Sequence, residues 1–138
     1  MNKSELIKEL ESRGIREEIL KVIKKIDRKD FVSEKDFNEA YENHPLSIGY
    51  GQTISQPYTV AFMLQELELK KGDKVLEIGT GSGWNAALIS YIVGEEGKIY
   101  SMEIVKELAE KAKEKLKNYK NIIVLNADAS YGLAKYAP

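Results

Sequence analysis

Three glycines and three acids are the residues here that could do chemistry together. Val75-Leu76-Glu77-Ile78-Gly79-Thr80-Gly81-Ser82-Gly83 sets a glycine-rich turn between an apolar run and a helical pattern. Such a turn lets a ligand approach the backbone closely at the mouth of a helix. Dinucleotide turns use G-x-G-x-x-G, and mononucleotide loops end in Lys-Ser/Thr; both serve phosphate. Here the spacing is G-x-G-x-G, no lysine follows, and Glu77 stands two residues before Gly79. An acid at that point repels phosphate and attracts a cation. S-adenosyl-L-methionine carries a sulfonium and an ammonium and no phosphate, so Glu77, Gly79, Thr80, Gly81 and Gly83 suit it better than NAD.

Two further acids end the next two apolar runs. Glu103 follows Gly79 by 24 residues, where an acid at a strand end can accept hydrogen bonds from both ribose hydroxyls. Asp128 closes Asn126-Ala127-Asp128 and could accept from the adenine amino group. Ligands of open α/β sheets bind at the carboxyl ends of the strands, which is where all three acids fall. Plainer roles compete: Glu77 could pair with a lysine, Glu103 could cap the following helix, Asp128 could shape a turn, and the period of Trp84 argues for core.

Those acids need a sheet to hold them. Val75–Ile78 reads as a buried strand, and Lys98–Glu103 and Ile122–Leu125 read as two further strands. Trp84, Ala87, Leu88, Tyr91 and Ile92, then Val105, Leu108, Ala109, Ala112 and Leu116, read as helical faces. Alternating strands and helices with short connections imply a parallel sheet with right-handed crossovers. Upstream, Leu6, Ile7 and Leu10 form one helical stripe, and Ile15, Ile19, Val22, Ile23 and Ile26 another, with Gly14 between them as a stop. A third short helix is expected near residues 34–42. Residues 43–57 lose their charge and carry Pro45, Gly49, Gly51 and Pro57 among Leu46, Ile48, Tyr50 and Ile54, so they read as an anchored loop. Pro57 suits the first turn of a helix with Val60, Met63, Leu64 and Leu67 on one apolar face.

From Lys74 onward 65 residues remain. That is room for about three strands, against about six in a full doubly wound sheet. The expected architecture is therefore α/β and Rossmann-like: a partial parallel sheet of about three strands with an N-terminal helical extension. The expected division is residues 1–56, helices and loop, and residues 57–138, the cofactor-binding part. The chain reads as a fragment or shortened relative of a larger enzyme.

Composition removes many alternatives. The 138 residues are 43% hydrophobic and 31% charged, with a formal net charge of -1. No global field favours nucleic acid or an anionic membrane. Lys111, Lys113, Lys115, Lys117 and Lys120 spread around a helix and read as a solvated face. There is no cysteine and a single histidine, His44, so thiolate zinc sites, iron–sulfur clusters, thiol catalysis and multi-histidine metal centres are excluded. No apolar run approaches the roughly 20 residues of a membrane helix. The default compartment is the cytoplasm.

Glu77-Ile-Gly-Thr-Gly-Ser-Gly-Trp-Asn-Ala-Ala, preceded by Pro45-Leu-Ser-Ile-Gly-Tyr-Gly-Gln-Thr-Ile-Ser-Gln-Pro, resembles the protein-L-isoaspartate O-methyltransferase family. The glycine motif alone indicates only a class I methyltransferase; the Gly49-to-Pro57 segment is far more specific. The resemblance runs from the N-terminal helices to Tyr131-Gly132 and Tyr136-Ala137-Pro138. It implies methylation of the carboxylate of L-isoaspartyl residues in damaged proteins, with S-adenosyl-L-methionine as the methyl donor. It implies that Glu77, Gly79, Gly81 and Gly83 bind the methionine part, Glu103 the ribose and Asp128 the adenine. Thr53, Ile54 and Ser55 would lie over the transferring methyl group, with Ser55 near the acceptor. Ser55 could equally cap the helix opening at Pro57.

Two features differ from the family pattern. Tyr58 stands where histidine is frequent, and Asn43 and His44 stand where an acid is common. The family also continues into a fourth strand and a C-terminal half. Without them the first strand is expected at an open edge, prone to self-association. Three readings follow: an isoaspartyl methyltransferase, a catalytically weak S-adenosylmethionine-binding protein or a methyltransferase with another acceptor, and a nicotinamide-binding domain. The partners expected are isoaspartyl-containing proteins and peptides, not nucleic acid or membrane.

Overall fold

The structure is a computed structural model and describes residues 1–131. The resemblance noted at Gly132, Tyr136, Ala137 and Pro138 lies outside the described residues.

Helix α1 (Lys3–Ser12) opens on Asn2, whose side chain accepts the Glu5 N–H at 2.8 Å. It stops at Gly14, which takes the left-handed φ of +92° that L-residues adopt at a cost. Helix α2 (Glu17–Lys25) buries Ile19, Leu20, Val22 and Ile23. Two short 3-10 turns follow, Arg28–Phe31 and Glu34–Glu39. The second replaces the helix expected near residues 34–42; it buries none of its own residues, so no apolar stripe rewards a longer helix.

The stretch expected as a loop contains a small antiparallel hairpin, strands β1 (Leu46–Gly49) and β2 (Gln52–Ile54), with Leu46 opposite Ile54. Gly49, Tyr50 and Gly51 all have positive φ at its tip. Buried Leu46 and Ile54 fix the hairpin to the core, which is the anchoring role read from the sequence.

Helix α3 (Pro57–Leu67) starts at its proline. Its expected apolar face is divided: Val60 and Leu64 are buried, but Met63 is 59% and Leu67 57% exposed. The strands are β3 (Lys74–Ile78), β4 (Lys98–Glu103) and β5 (Ile122–Asn126), parallel and in the order β3-β4-β5. Helices α4 (Trp84–Val93) and α5 (Lys106–Lys115) make the two crossovers. Both crossovers step in the same direction, so right-handedness puts both helices on one face of the sheet. The five lysines from Lys111 to Lys120 are exposed, as read from the sequence.

Strand β3 is an edge among the described residues, as expected, but it is not the buried strand its apolar run suggested. Leu76 is 50% and Ile78 69% exposed, while Glu77 between them is buried. Side chains alternate along a strand, so Glu77 points toward the helices and Leu76 and Ile78 point away. The core is one contiguous cluster from Leu6 of α1 to Val124 of β5, so the N-terminal helices and the sheet share it. Trp84 lies within it at 1% exposure, its indole N–H donating to the Ile26 carbonyl at 3.1 Å.

Candidate cofactor site

The turn after β3 is held from below by β4. The Gly79 and Thr80 N–H groups both donate to the Met102 carbonyl, at 2.7 and 3.2 Å. Gly83 has φ +92° and begins α4. A Cβ added there would lie 3.1 Å from Leu116 Cδ1, so the backbone conformation favours glycine and a larger residue would press on Leu116.

Register explains the polar group beneath the turn. Glu77 of β3 pairs with Ser101 of β4 on the helix-facing side. The Ser101 hydroxyl donates to Glu77 Oε1, Asn85 Nδ2 of α4 donates to Oε2 at 2.8 Å, and Thr80 Oγ1 lies 2.6 Å from Ser101 Oγ. An ionised carboxylate only accepts. Ser101 therefore spends its proton on Glu77, and Thr80 donates to Ser101. Burial pushes the Glu77 carboxyl above its ordinary range; the Ser101 and Asn85 hydrogen bonds oppose that, and the nearby Glu103 charge adds to it. No lysine pairs with Glu77 among the described ion pairs. The plainer reading of that acid is set aside.

Glu103 ends β4 at 4% exposure. Its Oε1 accepts the Gly81 N–H at 2.9 Å and its Oε2 the Val105 N–H at 3.0 Å, just before α5. It therefore braces the glycine turn and the helix entrance together. Asp128 is exposed and accepts the Ser130 N–H at 2.9 Å, which holds its carboxyl below the ordinary range. It is engaged in turn chemistry.

A cleft of about 270 Å³ opens above the turn. Thr53, Ile54 and Ser55 form one wall, Glu77 to Ser82 the floor, and Thr59 and Met63 of α3 another side. Among the described residues its only charged lining residue is Glu77. The hairpin comes within reach of the turn: a Cβ on Gly81 would lie 3.7 Å from Ile48 Cδ1 and 3.9 Å from the Thr53 carbonyl. Ser55 does not cap α3; the N-cap is Gln56, without a side-chain bond, and the Tyr58 N–H goes instead to Asn43 Oδ1 at 3.0 Å. Among the described residues no group of three or more His, Cys, Asp or Glu side chains could hold a metal ion.

The sequence reading gave no site role to Asn85, Ser101, Thr59, Met63 or Arg28. Asn85 and Ser101 are polar residues inside apolar segments, a signal that gains meaning only once the register sets Ser101 beside Glu77.

A parallel β-α-β-α-β sheet, a G-x-G-x-G turn with a buried acid beneath it, and an acid at the next strand end define the class I methyltransferase fold. Known structures agree. A protein-L-isoaspartate O-methyltransferase superposes with a TM-score of 0.89 at 33% identity, over 99% of this chain and 45% of that one. A Plasmodium falciparum structure titled as an enzyme of the same kind, in complex with S-adenosyl-L-homocysteine, superposes with a TM-score of 0.84. Its 23% identity supports the fold alone.

The chain belongs to the protein-L-isoaspartate(D-aspartate) O-methyltransferase family, which it matches over residues 1–138. Relatives named protein-L-isoaspartate O-methyltransferase include one from Ignicoccus hospitalis, 48% identical over 99% of this chain and 66% of its own length. Another, from Archaeoglobus fulgidus, is 50% identical over 87% of this chain and 56% of its own. The chain spans between 56% and 68% of the length of the curated relatives it matches.

Proposed function

We propose that this chain binds S-adenosyl-L-methionine in the cleft above the glycine turn and carries out methylation of the carboxylate of L-isoaspartyl residues in damaged proteins. The observation that carries this reading is the cleft's charge: among the described residues that line it there is one buried carboxylate, Glu77, and no cation. That suits a ligand bearing a sulfonium and an ammonium, and opposes a pyrophosphate.

Glu77 would attract the cationic methionine part, with Gly79, Thr80, Gly81 and Gly83 allowing close approach. Each Glu103 oxygen accepts one backbone N–H and keeps a second lone pair for a ribose hydroxyl. Ile104, 67% exposed beside Glu103, offers an apolar face for adenine, and Asp128 an acceptor for its amino group. When bound, the cofactor supplies a methyl group on a sulfonium that is already a good leaving group. Thr53, Ile54 and Ser55 would position the acceptor and exclude water beside it, with the Ser55 hydroxyl, which caps nothing, available to the acceptor carboxylate. A carboxylate with an ordinary pKa of about 4 is ionised at neutral pH and needs no general base. Rate would come from alignment and water exclusion.

In this reading residues 1–56 supply the acceptor wall and residues 57–138 the cofactor floor. The partners are isoaspartyl-containing proteins and peptides. Among the described residues no helix is long and apolar enough to cross a membrane, and the proposed compartment is the cytoplasm. The exposed rim, Met63 at 59% and Ile78 at 69%, favours a second reading. In it the isolated chain binds cofactor but turns over weakly and self-associates through its open edge.

Calorimetric titration with S-adenosylmethionine, S-adenosylhomocysteine and NAD tests the ligand. Binding of the first two and not the third is expected; the reverse would overturn the proposal. Radiolabelled methyl transfer to an isoaspartyl peptide, against its aspartyl isomer, tests the acceptor. Cofactor binding without transfer to either would leave the second reading.

A further inference from the structure

Arg28 begins the first 3-10 turn and is 2% exposed. Buried arginines usually face a carboxylate, because an unpaired buried charge is costly. Among the described ion pairs Arg28 has none. Its neighbour Asp27 is committed to the Tyr41 hydroxyl and Lys3.

Arg28 instead collects backbone carbonyls from two separate stretches of chain. Nη1 donates to Ala40 O at 3.0 Å and Glu42 O at 3.3 Å, and Nη2 to His44 O at 2.9 Å and Ser55 O at 3.1 Å. The guanidinium carbon lies 5.6 Å from the centre of the Trp84 ring, a cation–π contact with the first residue of α4. Nε is buried without a partner. Burial lowers the pKa to about 10, which leaves the group charged at neutral pH.

Packing alone does not account for this arrangement. A hydrophobe of similar volume would fill the space without the desolvation cost, but it could not gather four carbonyl oxygens. Those oxygens lie on both sides of the hairpin. Ala40, Glu42 and His44 precede β1, and Ser55 follows β2. Clamping them to one planar fork closes the 40–55 segment at its base and fixes the peptide plane of Ser55. Ser55 lines the same cleft as Gly79 and Gly81, so fixing its backbone fixes one part of that cleft's wall. The same guanidinium rests on Trp84, next to Gly83 of the turn, so the loop wall and the glycine floor share one reference point.

We propose that Arg28 is the positioning residue of this site, clamping both ends of the hairpin segment and setting Ser55 over the glycine turn. Its bearing on methyl transfer rests on the function proposed above; the clamp itself does not. Lysine cannot replace it, because a single ammonium cannot span both pairs of carbonyls.

Hydrogen exchange read by mass spectrometry on Arg28→Lys tests the clamp without any ligand. Amides of residues 42–56 are expected to exchange about 10-fold faster, the loss of one or two charge-assisted hydrogen bonds. Those of β3 and β4 should change by less than about twofold. Val93→Ala, a core change at the end of α4 away from Gly83 and packed beside Gly97, serves as control and should not single out residues 42–56. A rise in Arg28→Lys that is uniform over hairpin and sheet, or no rise, would overturn the proposal.

Should Arg28→Lys fail to fold, NMR on the wild-type chain decides. The Arg28 Nη protons are expected to be resolved and slow to exchange beside those of Arg16, whose side chain is 55% exposed. Averaged, fast-exchanging Arg28 signals would overturn the clamp. S-adenosylhomocysteine calorimetry keeps the two proposals apart. No binding by the wild type with a loosened hairpin in Arg28→Lys defeats the functional reading alone. Wild-type binding with an unchanged hairpin in Arg28→Lys defeats the clamp alone.

Discussion

The Gly81 N–H donates to Glu103 Oε1 at 2.9 Å, so the residue proposed to hold the ribose also holds the turn proposed to meet the methionine part. Removing this carboxylate should therefore act twice. Glu103→Ala is expected to weaken S-adenosylhomocysteine binding by about 10-fold or more, and also to lower stability by about 1–3 kcal/mol, because the Gly81 and Val105 N–H groups lose their acceptor. Calorimetry and urea unfolding read the two effects. Unchanged affinity in a folded variant would remove Glu103 from the ribose.

Glu77 gives a pH dependence whose sign is fixed by its burial. Its folded pKa lies above the ordinary value of 4.5. The folded protein therefore holds this proton more tightly than the unfolded chain does. The contribution to stability is fully present below the unfolded pKa and is lost as pH rises through the folded one. Glu77→Gln cannot ionise, and an Asn85 amide flip can satisfy its new N–H group. The difference in unfolding free energy, variant minus wild type, should rise as pH increases from about 4.5. Cofactor affinity should fall in the same variant, since the cleft loses the only charge among its described lining residues. Urea titrations across that pH range check the first statement and calorimetry the second.

Ser101→Ala leaves Glu77 with one side-chain donor, Asn85. A hydrogen bond to the charged form lowers a carboxyl pKa, so its loss moves the Glu77 titration further upward. Isotope-edited infrared or NMR titration of the carboxyl would read the shift. An unmoved titration would mean that Ser101 does not stabilise the charged form.

The glycines of the turn are not equivalent. Gly79 has φ +89° with nothing within 4 Å of an added Cβ, whereas at Gly83 the φ is +92° and Leu116 stands 3.1 Å away. Gly79→Ala should cost about 1–2 kcal/mol from backbone strain alone. Gly83→Ala should cost more, by up to a further ~1–3 kcal/mol for overpacking against Leu116. Thermal unfolding that ranked them the other way would contradict the contact at Gly83.

How much of this was legible depended on whether the determining interaction was local. The turn, the three strands and the acids at their ends show in the sequence because strand–glycine–helix punctuation is a short-range signal. The Glu77–Ser101 hydrogen bond depends on strand register across more than twenty residues. Arg28 was hidden more thoroughly. It sits in Ile26-Asp27-Arg28-Lys29-Asp30, a charged stretch that resembles solvated surface. Its partners are backbone carbonyls, which no side-chain pattern announces. Leu76 and Ile78 misled in the opposite direction: an apolar run of that kind normally means burial on both faces of a parallel sheet, and here one face is open.

That open face leads to the remaining prediction. Strand β3 has β4 on one side only among the described residues, and unpaired strand edges recruit other chains. Around it Leu76, Ile78, Met63 and Leu67 are each at least 50% exposed. Hydrophobic area of this kind contributes about 25 cal/mol per Å² when covered, so association is favoured once a second surface is available. The isolated chain is expected to elute above its 15.6 kDa mass in size-exclusion chromatography with light scattering, increasingly so at higher concentration. Leu76→Lys with Ile78→Lys should restore a monomer, because both side chains already point to solvent and a charge there opposes edge pairing. If the wild type is a monodisperse monomer at all concentrations, the edge is not an association surface in this chain. If the double variant still assembles, the contact lies elsewhere.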